Sequence, residues 1–266
     1  MAASLPDKLK EELPPGLWGK VLSATPIVMT VVATGLAGLS SNEMNRAQYD
    51  RASAAQLQAK ASDQWSFFQA KRLRSALQSD VAELLAGEHG RNPDAAPAQR
   101  YAFQTASAVP QMPAAVQAAL KAEMAGRSDD ALDALSAAIP LAAVEAARKL
   151  AVERVQQFDA EAARFNAGAL DANARLWYAS ARYDAESGLD EDVAYLYELL
   201  VRKSNLEARR HHARSQRFFV GMLLAQAAVI FATFALAARM RHVLWGIAAA
   251  AGLVAVLFAA YVYLWT

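Results

Sequence analysis

A chain of 266 residues with 55% hydrophobic and 20% charged side chains is too apolar for an ordinary soluble domain and too charged for a bare helical bundle in lipid, so it divides between membrane and water. About 63 alanines against 12 glycines and 9 prolines favour long helices and exclude sheet architectures. A net charge of +1 provides no field to gather nucleic acid, and the lack of cysteine excludes disulfides, thiolate metal sites and a cysteine nucleophile.

Residues 1–20 form a polar N-terminal segment, with Trp18 and Lys20 as an interfacial collar. The first apolar stretch, 21–39, is charge-free and long enough to cross a hydrocarbon core as a helix, with Pro26 near its start, where a missing N–H does least harm. A cleaved signal peptide is the alternative, but the run is long for a signal's apolar region. Two further charge-free stretches, 218–238 and 243–264, are separated only by the basic loop 239–242 and form a helical hairpin. Trp245 at one end of the last stretch, and Tyr261, Tyr263 and Trp265 at the other, mark the two interfaces.

Between the first and second spans lies an extramembrane domain, 40–217, expected to be helical throughout. From Ser41 to Ala86 there is no Gly or Pro. Ala54, Leu57, Ala61, Trp65 and Phe68, then Leu73, Leu77, Val81 and Leu84, recur at steps of three and four, so one helix of roughly 65 Å is predicted. Residues 87–139 look like a short-helix insertion, with helices at 114–125 and 129–138 between Pro and Gly breaks. From Pro140 to Glu186 a heptad seam runs through Val144, Ala147, Ala151, Val155, Phe158, Ala162, Phe165, Ala169, Ala172, Leu176, Ala179 and Tyr183. Ser187-Gly188 is expected to end it, with Asp190 capping a last helix that runs unbroken into the second span. The fold class is therefore all-α: three transmembrane helices with a long antiparallel, coiled-coil-like extramembrane domain between the first and second.

No catalytic motif stands out, and no metal or cofactor is expected. His211 and His212 are adjacent on a helix, point about 100° apart and cannot share an ion without other donors. Arg210, Arg214 and Arg217 share a helix face where the last extramembrane helix enters lipid, which suits lipid headgroups or an ordinary snorkelling collar. Gln226 is polar within the second span and needs a neighbouring helix or an aqueous path.

The segment Ala61-Ser62-Asp63-Gln64-Trp65-Ser66-Phe67-Phe68-Gln69-Ala70-Lys71 sets an aromatic cluster with flanking amides on an alanine-based helix, which calls for a particular partner surface. In this string the chain resembles a bacterial membrane family known as domain of unknown function four-three-three-seven. The resemblance continues at Arg182-Tyr183-Asp184-Ala185-Glu186 and through the hairpin spans with Gln226; Arg72 departs, standing where a small hydroxyl residue is expected. It implies a bacterial membrane protein with a helical excursion and brings no reaction, cofactor or ligand. At 1.5 Å per residue, Trp65 lies roughly 37 Å along its helix from the first span and Val193 roughly 36 Å from the second. Asp63, Gln64, Trp65, Phe68, Gln69 and Lys71 should therefore meet Arg182, Tyr183 and Glu186 as one packing or partner-docking motif.

The expected function is that of a membrane scaffold or accessory subunit, without catalytic activity, that contacts lipid and acts as a homo-oligomer or within a larger complex. The rival expectation is an oligomeric channel or transport component; charge-free spans argue against a dedicated ion path. All Lys and Arg of the short segments (Lys8, Lys10, Lys20, Arg239, Arg241) lie on one side, which places them in the cytoplasm of a bacterial inner membrane and the helical domain in the periplasm. Reporter fusions after Gln78 should then be active outside the cytoplasm and fusions at Arg241 inside; the reverse pattern would overturn this orientation.

Overall fold

A computed structural model describes residues 17–88, 112–167, 172–237 and 241–265. Among these the structure is all-helical, with six helices: α1 (Leu17–Glu88), α2 (Ala114–Met124), α3 (Asp129–Ala138), α4 (Leu141–Ala167), α5 (Ala172–Ala237) and α6 (Arg241–Trp265). Three of them, α1, α5 and α6, contain stretches long and apolar enough to cross a membrane, which marks the chain as a membrane protein. The expected seam residues Phe165 and Ala169 lie outside the residues whose surroundings are described.

The chain divides into two compact units, one comprising residues up to Tyr49 and from Glu207 onward, the other Asp50–Leu206. In the first, Ala33, Leu36, Phe218, Ala225, Ala255 and Val262 form the apolar centre of the three spans. Gly252 of α6 lies against the side chain of Met29, and Gly221 of α5 against Leu36 and Phe258. Pro26 is accommodated inside α1, and Thr30 Oγ1 donates to its carbonyl at 2.7 Å.

In the second unit, Ala61 of α1 packs with Met112, Val116, Ala119 and Leu120 around α2, with Val144, Ala147 and Ala151 of α4, and with Val193, Leu196 and Leu200 of α5. A smaller cluster joins Phe158 of α4 to Ala185 and Leu189 of α5. The insertion is built by local rules. α2 stops at Gly126 (φ 62°), where Gly126 N–H donates to Glu123 O and Arg127 N–H to Ala122 O, the hydrogen-bond pattern of a glycine-ended helix. Ser128 precedes α3, whose first turn carries Asp129 and Asp130 against the positive end of the helix dipole.

The inward face of α1 carries the apolar steps from Ala54 to Phe68 but not those beyond them. Ala33, Ser40, Ala47, Ala54, Ala61, Ser75 and Ala82 are buried at a strict seven-residue step, with half-buried Phe68 filling the remaining place. On α5 the buried residues Ser180, Ser187, Ala194, Ala208 and Ser215 repeat at the same step, with half-buried Val201 in the remaining place. Where these rows meet, the backbones nearly touch. Ser40 Oγ donates to Ser215 O at 3.0 Å and Ser215 Oγ to Ser40 O at 2.8 Å. Ser75 and Ser180 make the same reciprocal pair, both bonds at 2.9 Å. Such proximity leaves no room for leucine, so Leu73, Leu77, Val81 and Leu84 are on the opposite face and exposed.

Two further expectations are corrected. Ser187-Gly188 does not interrupt a helix, because α5 runs continuously from Ala172 to Ala237. A helical glycine costs about 1 kcal/mol, and the burial of Ala185, Leu189 and Val193 on either side outweighs it. Asp190 is accordingly no cap but lies within the helix, bound to Lys71. The 140–186 seam is buried as expected at Val144, Ala147, Ala151, Phe158 and Ala162; past the start of α5, Ala172 is exposed and Tyr178, Ser180 and Ala185 are buried in place of Leu176, Ala179 and Tyr183. The register changes because α4 and α5 are separate helices.

Replacing Ser75 or Ser180 by Ala should lower stability by about 1 kcal/mol through the lost hydrogen bond, and replacing either by Leu by about 1–3 kcal/mol through overpacking. Thermal unfolding in lipid nanodiscs measures both. Equal, negligible losses would show that the helices are not in close contact there.

Candidate functional site

The motif on α1 meets α5 in the second unit, as the equal helix distances suggested. Lys71 Nζ lies 2.8 Å from Asp190 Oδ2 and 3.2 Å from Glu186 Oε2. Arg182 Nε lies 2.7 Å from Glu186 Oε1, off the line of a good hydrogen bond, and its Nη2 reaches Asp159 of α4 at 3.5 Å. Glu186 and Asp190 are both buried, so two cations match two buried carboxylates and tie α1, α4 and α5 together. Burial pushes the Asp190 carboxyl above its ordinary range, against the lowering pull of Lys71.

Next to this knot, Trp65 Nε1 donates to Glu198 Oε1 at 2.8 Å. Its ring meets Tyr195 edge-on at 5.0 Å and Phe68 at 5.6 Å, and the Arg72 guanidinium lies over Phe68 at 5.7 Å. Tyr183 lies beneath Arg182 at 5.1 Å and Arg74 at 6.0 Å. On the α4 side, Arg148 Nη1 donates to Tyr197 Oη at 2.9 Å. Burial raises the Tyr195 hydroxyl, and Glu191, Glu198 and Glu123 add to the rise.

Of the residues singled out in the sequence, Trp65, Phe68, Lys71, Arg182, Tyr183 and Glu186 are thus brought together, with half-buried Gln64 on the same face; Asp63 and Gln69 are exposed. In the first unit, Arg210 and Arg217 are exposed, and half-buried Arg214 lies 3.9 Å from Glu43. Gln226 is exposed on the second span. His211 is engaged through Nδ1 with buried Glu43, and among the described residues no group of three or more His, Asp and Glu is arranged to hold a metal ion.

Sequence reasoning missed Asp190, Tyr195 and Glu198. Lys71 and Trp65 at a six-residue separation could have suggested acidic partners about two turns apart on the facing helix. It also missed a clamp on the insertion: Arg202 reaches Asp133 at 3.0 Å, Asp129 at 3.1 Å and Glu123 at 3.4 Å, while Lys203 donates to Ile139 O at 2.6 Å. Burial alone would lower the Arg202 pKa; the three carboxylates more than offset this and raise it.

The family model described as Domain of unknown function (DUF4337) matches residues 18–265. The chain belongs to that family. No curated protein and no solved structure matches it. In this DUF4337 member the string around Trp65 and the string around Tyr183 are the two halves of one charged and aromatic knot.

Asp192 borders the knot, and burial, reinforced by Glu191, pushes its carboxyl up to about 6. A folded-state value above the ordinary 3.8 means that stability is lost as pH rises from about 4 to about 6. Asp192→Asn should therefore stabilise the protein at pH 7, by on the order of 1 kcal/mol after solvent screening, and have little effect at pH 4. Denaturation midpoints at the two pH values test this; a destabilising substitution at pH 7 would mean that the carboxylate has a favourable partner.

Proposed function

We propose that this chain is an integral membrane scaffold or accessory subunit, without catalytic activity, that oligomerises or docks onto a membrane complex through its helical unit. The observation that carries this reading is the row Leu73, Leu77, Val81 and Leu84 on α1, exposed by 62%, 54%, 44% and 71%. These residues lie among Arg72, Arg74, Asp80 and Glu83, in a stretch far too charged for lipid, so the row is an apolar stripe in water. Contiguous exposed apolar surface of this kind marks a protein–protein contact.

The pairings of Trp65 with Glu198, Lys71 with Asp190 and Glu186, and Ser75 with Ser180 rise along α1 as they descend α5, which supports an antiparallel, coiled-coil-like pairing of the two helices. In that arrangement the knot positions the pair and leaves the outer face of α1 free for a partner. The charge asymmetry of the short segments supports a bacterial inner-membrane location with this unit in the periplasm. Exposed Arg210 and Arg217 would meet lipid headgroups.

Leu77→Asp or Leu84→Asp tests the reading. Because both side chains are exposed, the substitution should change stability by less than about 0.5 kcal/mol and yet dissolve the complex that the wild type forms in native membranes, as read by blue-native electrophoresis and mass spectrometry. An unchanged complex would sink the proposal.

A further inference from the structure

The first unit contains an intramembrane groove of about 470 Å³, lined by Thr30, Ala33, Thr34 and Ala37 of α1 and by Gln226, Val229 and Ile230 of α5. Ala33 at its base is buried with Ala255 of α6, while Thr30, Thr34, Gln226 and Ile230 at its mouth are exposed. Here α1 and α5 present a surface that no described part of the chain covers.

The polar groups of the groove are not equivalent. Thr30 Oγ1 donates to Pro26 O at 2.7 Å and Thr34 Oγ1 to Thr30 O at 2.9 Å, so both hydroxyl protons are used within α1. Gln226 is exposed, and among the described residues its amide has no hydrogen-bond partner. It lies eight residues into the charge-free stretch that begins at Phe218, about 12 Å below the edge of the span. An amide left unpaired in hydrocarbon is costly. An acyl chain seated in the groove would offer it neither a donor nor an acceptor.

We infer that this groove is a self-association site in which Gln226 hydrogen-bonds to Gln226 of a second copy of this chain across a two-fold axis along the membrane normal. This inference rests on reading the chain as a membrane assembly protein and names the surface by which its spans pair. A second copy in the same membrane with the same topology presents Gln226 at the same depth, so the depth match follows from symmetry alone. The carboxamide carries both an acceptor oxygen and an N–H donor, so a two-fold pair satisfies both sides reciprocally. Half-buried Ala37 on the groove wall permits the close helix approach that such a bond requires, and no charged residue in the lining calls for a counter-ion.

The test uses the full-length chain in phosphatidylcholine–phosphatidylglycerol vesicles. Because the protein has no cysteine, Ile230→Cys introduces a unique thiol on the groove rim, and Leu253→Cys places a control on an exposed face of α6. A short bis-maleimide should capture dimers through position 230 and not through 253. Quantitative dissociation by single-molecule photobleaching should show pairing weakened about tenfold by Gln226→Leu, the effect of two interhelical hydrogen bonds in a bilayer, and largely retained by Gln226→Asn. No capture at position 230, equal capture at 230 and 253, or pairing that Gln226→Leu leaves unchanged, would overturn the inference. The Ile230→Cys experiment keeps Gln226, so it decides the point even if Gln226→Leu fails to fold. Vesicle-monomeric protein whose complex in native membranes still depends on Leu77 would overturn this inference and leave the proposed function standing; Gln226-dependent dimers with a complex indifferent to Leu77→Asp would do the reverse.

Discussion

Two helices close enough for a serine hydroxyl on one to reach a main-chain carbonyl on the other set the terms for the rest of this structure. The reciprocal pairs Ser40–Ser215 and Ser75–Ser180 are thirty-five residues, or five heptads, apart on each helix. Between them the seven-residue row of α1 is alanine, save for Phe68. Alanine and serine are there because a larger side chain would force the backbones apart. The consequence is energetic: each alanine buries little apolar area, so α1 gains its packing energy in many small increments, while large buried side chains such as Leu189, Leu196 and Leu199 come from α5.

A seam of nearly uniform small residues specifies its register poorly, since shifting it by one heptad would exchange alanine for alanine. The polar contacts resolve that ambiguity. Among the described residues, Lys71 finds its carboxylates at Glu186 and Asp190 and Trp65 its acceptor at Glu198. A buried ion pair contributes little net stability but costs several kcal/mol if one partner is lost, so the knot acts against wrong registers more than for the right one. Arg202 applies the same logic to the insertion, clasping carboxylates from the end of α2 and the first half of α3.

The neighbourhood of the candidate site is legible in the sequence, because helical rise is constant and two uninterrupted helices leaving the spans reach equal distances at equal residue counts. The pairing of the Trp65 string with the Arg182–Tyr197 stretch follows from that alone. The partners within the neighbourhood were not legible. Asp190 reads in sequence as a helix cap after Ser187-Gly188, and only the continuity of α5 through Gly188 turns it inward to Lys71. Gly188 is tolerated because its neighbours Ala185, Glu186, Leu189 and Asp190 are all held by buried contacts.

By itself the sequence determined the all-helical class, the three apolar spans, the single long helix from Ser41 to Ala86 and the positions of α2 and α3, because these depend on local composition: apolar run length, the absence of Gly and Pro, and turn residues at fixed offsets. Only the tertiary structure decided which face of α1 is buried. Hydrophobicity ranks Leu73, Leu77, Val81 and Leu84 above Ser75 and Ala82, and an isolated helix would be expected to turn the leucines inward. The close approach of α5 reverses that order, because at such short range the available volume, and not transfer free energy, selects the side chain.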